Sequence, residues 1–157
     1  MCLVFIVTLA VFPVLSVKIN SSSSNPVWAR DYFQPVATFL VFNLFDYFGR
    51  TCAEFILWPR RGSCFLFAIS ILRIAFIPLF LLCNHNPNSY LPSVFKHDAW
   101  YTTFMSAFGF SNGYAFALLM MMVPESEGEK VGCMMAAMIG LGLLIGSLLS
   151  FAFALIT

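Results

Sequence analysis

Charge is what this chain has least of. Only 10% of its 157 residues are Asp, Glu, Lys or Arg, against about 25% in a soluble globular domain. A chain so poor in charge cannot cover its own surface in water, which excludes an ordinary soluble domain. The charges nearly cancel, to a net +1, and form no basic stripe or aromatic-basic platform, so no nucleic-acid partner is expected. Cysteine is sparse too: Cys2, Cys52, Cys64, Cys83 and Cys133 include no CxxC pair. They read as small, slightly polar hydrophobes rather than a disulfide or zinc framework. His85 and His97 fall in one polar loop with no ligand cluster nearby, so neither a metal nor a cofactor is expected. GxSxG, HExxH, P-loop and dinucleotide glycine patterns are all missing, and the chain is not read as an enzyme. Alternation of apolar and polar residues is missing as well. Runs such as residues 65–69 and 141–145 are continuously apolar, which excludes a β-barrel.

What is present is hydrophobic length. Apolar residues make up 61% of the chain, with 19 Phe. A membrane helix needs roughly 20 mostly apolar residues to cross about 30 Å of hydrocarbon. Five segments meet or approach that requirement: about 1–17, 32–58, 64–83, 99–123 and 131–156. The fold class is therefore all-α, a polytopic membrane protein with a single bundle of five transmembrane helices in a lipid bilayer. The first segment is short and resembles the apolar core of a signal peptide. It lacks a basic leader and a small-x-small cleavage site, so a short span, or one missing its front end, is the better reading. Polar clusters mark the loops: Lys18 to Arg30, Trp58 to Ser63, Asn84 to Asp98 and Pro124 to Lys130. Asn20-Ser21-Ser22 is a candidate glycosylation sequon. Lys and Arg in alternate loops tie, with Lys18, Arg30 and Lys96 facing Arg60, Arg61 and Lys130. The adjacent Arg60-Arg61 pair tips that turn toward the cytoplasm.

The informative residues are the charges inside these segments. Insertion scales put a charged residue at mid-span at about 2.5–3.5 kcal/mol, and such residues mark functional sites by default. In the second segment Asp46 and Arg50 are spaced i, i+4, as are Arg50 and Glu54, and Asn43 precedes Asp46 by three. All four lie on one helical stripe, which must face a water-filled cavity or the bundle interior. A carboxylate accepts from hydroxyls and a guanidinium donates in a planar fork. Together they suit a polar, uncharged ligand rich in hydroxyls and ring nitrogens. The competing reading is an ion pair that only locks helix packing. Arg73, in the third segment, is expected to play a structural part, snorkelling to the interface or pairing with Glu54. In the fourth segment Ser111, Asn112 and Tyr114 either line a pore or pack, with Gly109 and Gly113 allowing close backbone approach. Gly142, Gly146 and Ser150 form a small-xxx-small face expected to contact another helix. Pro35 and Pro78 are expected to kink their spans. The run Met120 to Met122 reads as packing.

Several motifs then occur together in order and spacing: Phe42-Asn-x-x-Asp46-x-x-Gly49-Arg50, Trp58-Pro59, Arg73-x-x-Phe76-x-Pro78-Leu79, His97-Asp98-Ala99-Trp100 and Ser111-Asn112-Gly113-Tyr114. The ordered set resembles the C-terminal half of the equilibrative nucleoside transporter family, from about Phe5 to the end. That resemblance implies the last five of eleven spans in a major-facilitator-like arrangement, with the N-terminal six-span half absent here. It implies an integral protein of the plasma membrane, with Lys18 to Arg30 outside, Arg60-Arg61 in the cytoplasm and the C-terminus extracellular. It also implies facilitative transport of nucleosides, or of nucleobases, with Asp46 on ribose hydroxyls and Arg50 beside the sugar or base. Asn112 matches a pore-region position. Glu54 departs from the pattern, where the residue is usually uncharged, and is expected to compete with Asp46 for Arg50.

Alternating access needs two halves rocking about a midplane site, so the resemblance implies a partner: the missing N-terminal half or another transporter chain. Two functional classes follow. In the first, the chain is the C-terminal part of a facilitative nucleoside carrier. In the second, it is a truncated, non-transporting membrane protein that associates with a full-length transporter and regulates it. A proton path along Asp46, Arg50 and Glu54 is a weaker third.

Overall fold

The computed structural model describes residues 2–12, 14–17, 19, 21, 26–56, 64–83, 95, 97–121 and 128–156. Asn20, His85, the Arg60-Arg61 pair and most of the acidic turn after Val123 lie outside them. Apart from an isolated bridge between Cys83 and Phe95, the described elements are helical, as the continuous apolar runs require. They are α1 (Cys2–Val11), α2 (Val14–Val17), α3 (Val41–Phe55), α4 (Cys64–Leu72), α5 (Phe76–Leu81), α6 (Asp98–Met121) and α7 (Gly128–Ile156).

Two helices, α6 and α7, are long and apolar enough to cross a bilayer. Residues 26–55 form one continuous helix that is long enough, but it carries Arg30, Asp31, Asp46, Arg50 and Glu54. It begins upstream of the expected 32, with Pro26 in its first turn, where the missing N–H costs nothing. Its first part, Trp28–Tyr32 and Gln34–Leu40, is wound as π-helix. There the Phe33 N–H bonds Trp28 O and the Val41 N–H bonds Val36 O, five residues back. Pro35 lies in this wide-wound stretch, which absorbs its missing donor.

The third apolar segment is broken. α4 and α5 are joined by a 3₁₀ turn, Arg73–Ala75. Pro78 cannot donate to Ile74 O, and the chain tightens to i→i+3 bonding across that gap. α1 has 10 residues and rises only about 15 Å at 1.5 Å per residue.

Two helix pairs organise the bundle, α3 with α6 and α1 with α7, and α1 also touches α4, α5 and α6. Between them lies an aromatic core. The Phe108 ring contacts Phe42, Phe76 and Phe80 at centroid distances of 5.9, 5.3 and 5.6 Å. Phe12 stacks on Phe42 at 4.4 Å. Near the end of α2, Gln34 Nε2 donates to Val17 O (3.0 Å) and Ile19 O (2.7 Å), while the Thr38 and Tyr101 hydroxyls meet at 2.7 Å. These bonds satisfy polar groups that lipid could not.

Glycine sets the closeness of both pairs. A Cβ at Gly142 would stand 2.8 Å from Cys2 O, and one at Gly146 would stand 2.9 Å from Ile6 O. Ser150 is buried on the same face, so the expected small-residue contact is the α1–α7 seam. The rest of α7 is bare. Only 11% of its most apolar stretch is covered by the chain, against 44% for α6. Met134, Leu144, Leu148 and Phe151 point outward, as a lipid-facing surface does.

On α6, a Cβ at Gly109 would lie 2.6 Å from Phe42 O, and one at Gly113 would overlap Asp46 O. Gly49 on α3 answers them, since a Cβ there would collide with Phe110 O. Overpacking a filled contact costs about 1–3 kcal/mol. Gly113→Leu is therefore expected to lower the apparent melting temperature of the detergent-solubilised chain by several degrees. Gly140→Leu, at a position where an added Cβ meets nothing within 4 Å, is expected to leave it unchanged. Equal shifts would contradict the seam.

Candidate functional site

The glycine seam decides what the polar stripe of α3 can reach. Gly49 and Ala53 are buried against α6. Asp46 flanks that contact, whereas Arg50, Asn43 and Glu54 lie successively further round the helix. Exposure follows the same order: the Asp46 side chain is 13% exposed and that of Arg50 is 45% exposed, while Asn43 and Glu54 are open.

Asp46 is held from two sides. Arg50 Nε donates to its Oδ2 at 2.8 Å, and Asn112 Nδ2 donates to its Oδ1 at 2.7 Å. Arg50 also lies over the Phe116 ring, 4.5 Å from its centroid, a cation–π contact that steadies the exposed guanidinium. Each carboxylate oxygen thus carries one bond from the protein and keeps acceptor capacity for a ligand.

Behind Asn112 lies a second arginine. Arg73 is 1% exposed. Its Nη2 donates to Asn112 Oδ1 (3.1 Å) and Thr8 Oγ1 (2.9 Å). Its Nη1 donates to Ser111 Oγ (2.6 Å) and Phe108 O (3.3 Å). The guanidinium sits 4.7 Å from the Phe108 ring centroid. The Thr8 hydroxyl lies 2.7 Å from both Val4 O and Asn112 Oδ1, and its single proton serves one at a time. Four elements therefore converge on one network: α1 through Thr8, α3 through Asp46 and Arg50, the 3₁₀ turn after α4 through Arg73, and α6 through Ser111 and Asn112.

Two expectations are corrected here. Arg73 neither snorkels nor pairs with Glu54. The tightened turn at Arg73–Ala75 lies against α1 and α6, whereas Glu54 is on the outer side of α3. Nor does Glu54 take Arg50 from Asp46: among the described residues, the ion pair of Arg50 is with Asp46. Of the other candidates, Asn43 donates to Phe39 O in its own helix (2.7 Å) and stands apart from the network. Tyr114 donates to Ile56 O (3.0 Å), which caps the end of α3, and its ring stacks on Phe110. His97 is exposed. The arrangement offers hydrogen bonding and charge, and among the described residues no group of three His, Cys, Asp or Glu could hold a metal ion. Thr8 was not singled out from sequence, and Gly49 entered only as a position of the Phe42–Arg50 motif. A lone Thr in an apolar run carries no signal, but the Gly49 spacing to Phe42 and Ala53 on one face was readable.

The described residues form a helical bundle with a charged network between its helices. A family model described as "Nucleoside transporter" matches residues 1–155. The chain is 43% identical to equilibrative nucleoside transporter 1 of Homo sapiens over 97% of its own length and 34% of that protein's. It is 41% identical to equilibrative nucleoside transporter 2 of Homo sapiens, over 96% of this chain and 34% of that protein. Against nucleoside transporter 1.2 of Leishmania donovani the identity is 31%, over 93% and 29%. The chain is a member of the nucleoside transporter family, an integral membrane protein and not an enzyme, and it spans about a third of the length of the curated relatives it matches.

The network separates two asparagines of similar sequence context. Asn112→Leu removes a partner from Asp46, Arg73 and Thr8 together. Leaving buried polar groups unpaired costs about 1–3 kcal/mol. Asn43→Leu removes one exposed bond to its own helix and is expected to cost less than about 0.5 kcal/mol. Thermal unfolding in detergent should rank Asn112→Leu well below Asn43→Leu; the reverse order would contradict the network.

Proposed function

We propose that this chain is the C-terminal part of a facilitative nucleoside carrier, in which Asp46 and Arg50 hold the substrate by hydrogen bonds. The observation that carries this reading is the state of Asp46. It is a carboxylate within the helix bundle, 13% exposed and fixed by Arg50 and Asn112 on one bond each, and it keeps acceptor capacity for a ligand. Such a group suits vicinal hydroxyls of a sugar. Arg50, more exposed, lies beside it to meet the ring or the sugar. Nucleosides are the leading substrates, and nucleobases would use Arg50 alone.

In this reading the described helices belong to five spans of a major-facilitator-like half, at about 1–17, 32–58, 64–83, 99–123 and 131–156. The open face of α3, with Tyr47 65% exposed and Phe55 82% exposed, meets an N-terminal half. The carrier lies in the plasma membrane with the C-terminus of this chain extracellular. The same open face also fits the second reading, a non-transporting chain that docks on a full-length transporter and regulates it.

Uptake of radiolabelled uridine tests both. The chain is placed in equilibrative nucleoside transporter 1 of Homo sapiens in exchange for the segment it matches. The chimera is expected to take up uridine, and Asp46→Asn or Arg50→Ala to lower uptake at least about tenfold at unchanged surface level. Full uptake by either variant refutes the site. An inactive chimera, with the separate chain co-purifying with the intact human carrier and changing its rate, would favour the regulatory reading.

A further inference from the structure

We infer that Arg73 is a positioning residue for substrate selectivity: through Asn112 it fixes how the Asp46 carboxylate is presented to sugar hydroxyls. The inference rests on the reading of Asp46 and Arg50 as the substrate pair. Arg73 itself is fully buried and touches no ligand.

The logic is one of donors and acceptors. A guanidinium has only donors, so the atom of Asn112 that meets Arg73 Nη2 at 3.1 Å must be the carbonyl oxygen. A carboxylate has only acceptors, so the atom that meets Asp46 Oδ1 at 2.7 Å must be the amide nitrogen. Opposite charges on either side of one amide therefore fix its flip. Thr8 cannot do this, because a hydroxyl both donates and accepts. With the amide fixed, Asn112 holds Oδ1 while Arg50 holds Oδ2 at 2.8 Å, and the carboxylate plane cannot turn. Without Arg73, the Asn112 carbonyl oxygen loses its charged donor and keeps only the Thr8 hydroxyl, whose single proton also serves Val4 O, so the amide is held firmly from the Asp46 side alone. The tether on Oδ1 is then loosened, and the carboxylate plane depends more on the half-exposed Arg50.

Four of the five Arg73 donors are used, and Nε is buried without a partner. A group retained only to stabilise the bundle would be better replaced by an apolar one. The orientation it imposes on Asn112 is a function that an apolar residue could not supply.

Uptake of uridine and of 2′,3′-dideoxyuridine by the chimera described above separates positioning from folding. Arg73→Gln is expected to raise KM for uridine about tenfold and to change KM for the dideoxy compound little, so that the preference for the hydroxylated sugar collapses. Arg73→Lys keeps the charge and should retain part of that preference. Thr8→Val, which removes the uncharged partner of the same amide oxygen, should lose less of it than Arg73→Gln. Equal losses on both substrates, or an altered Vmax alone, would assign Arg73 to folding and overturn the inference. So would absence of both Arg73 variants from the membrane. Two other results fall on the carrier reading itself: a chimera that takes up no uridine, or uptake indifferent to Asp46→Asn. Asp46-dependent uptake with unchanged selectivity in Arg73→Gln would overturn this inference alone.

Discussion

At Gly49, Gly109 and Gly113 the backbones of α3 and α6 come so close that a methyl group at any of the three would meet a carbonyl of the facing helix. In lipid there is no hydrophobic drive to bring two apolar helices together, so close packing and interhelical bonds must do it. The glycine seam supplies the packing. It also fixes the register, because Gly113 sits against the backbone of Asp46 and the neighbouring Asn112 is then within 2.7 Å of that carboxylate. The bond between Asp46 and Asn112, on which the Arg73 network is joined to α3, follows from this contact.

The two arginines show how differently one bundle treats the same side chain. Arg50 is half exposed, paired with a carboxylate and laid on an aromatic face, which leaves its other donors available. Among the described residues Arg73 has no direct carboxylate partner, and it is wrapped by α1, α6 and the Phe108 ring. A buried cation without an adjacent anion is costly. Here hydroxyl, amide and carbonyl oxygens share its charge, and Asn112 passes part of it to Asp46. The break in the third segment belongs to the same design: Pro78 tightens the turn at Arg73–Ala75, where the chain must offer a long polar side chain to its neighbours rather than continue as a regular span.

Much of this was legible in the residues. Helical class, the polar stripe on α3 and the Gly142–Gly146–Ser150 contact all follow from periodicity, because a 3.6-residue repeat puts like residues on one face. What periodicity cannot supply is which helix meets which. Asn43 and Asn112 look equivalent on a wheel, yet one bonds its own backbone and the other joins three helices. Arg73 was expected at the interface or beside Glu54, because spacing along one chain says nothing of a third helix that carries Ser111 and Asn112. Thr8 was invisible for the same reason. Pro26 lies in the first turn of the helix that carries the second segment, and a 3₁₀ turn lies within the third.

The proposed seat for the sugar of a nucleoside is Asp46, fixed between Arg50 and Asn112. A cryo-electron microscopy structure of the human-relative chimera with bound uridine tests it most directly. The account predicts ribose hydroxyls within hydrogen-bond distance of the Asp46 carboxylate, with Asn112 still on Oδ1 and Arg73 still behind it. Uridine density elsewhere in the bundle, with the Asp46–Arg50 pair closed and unoccupied, would contradict it.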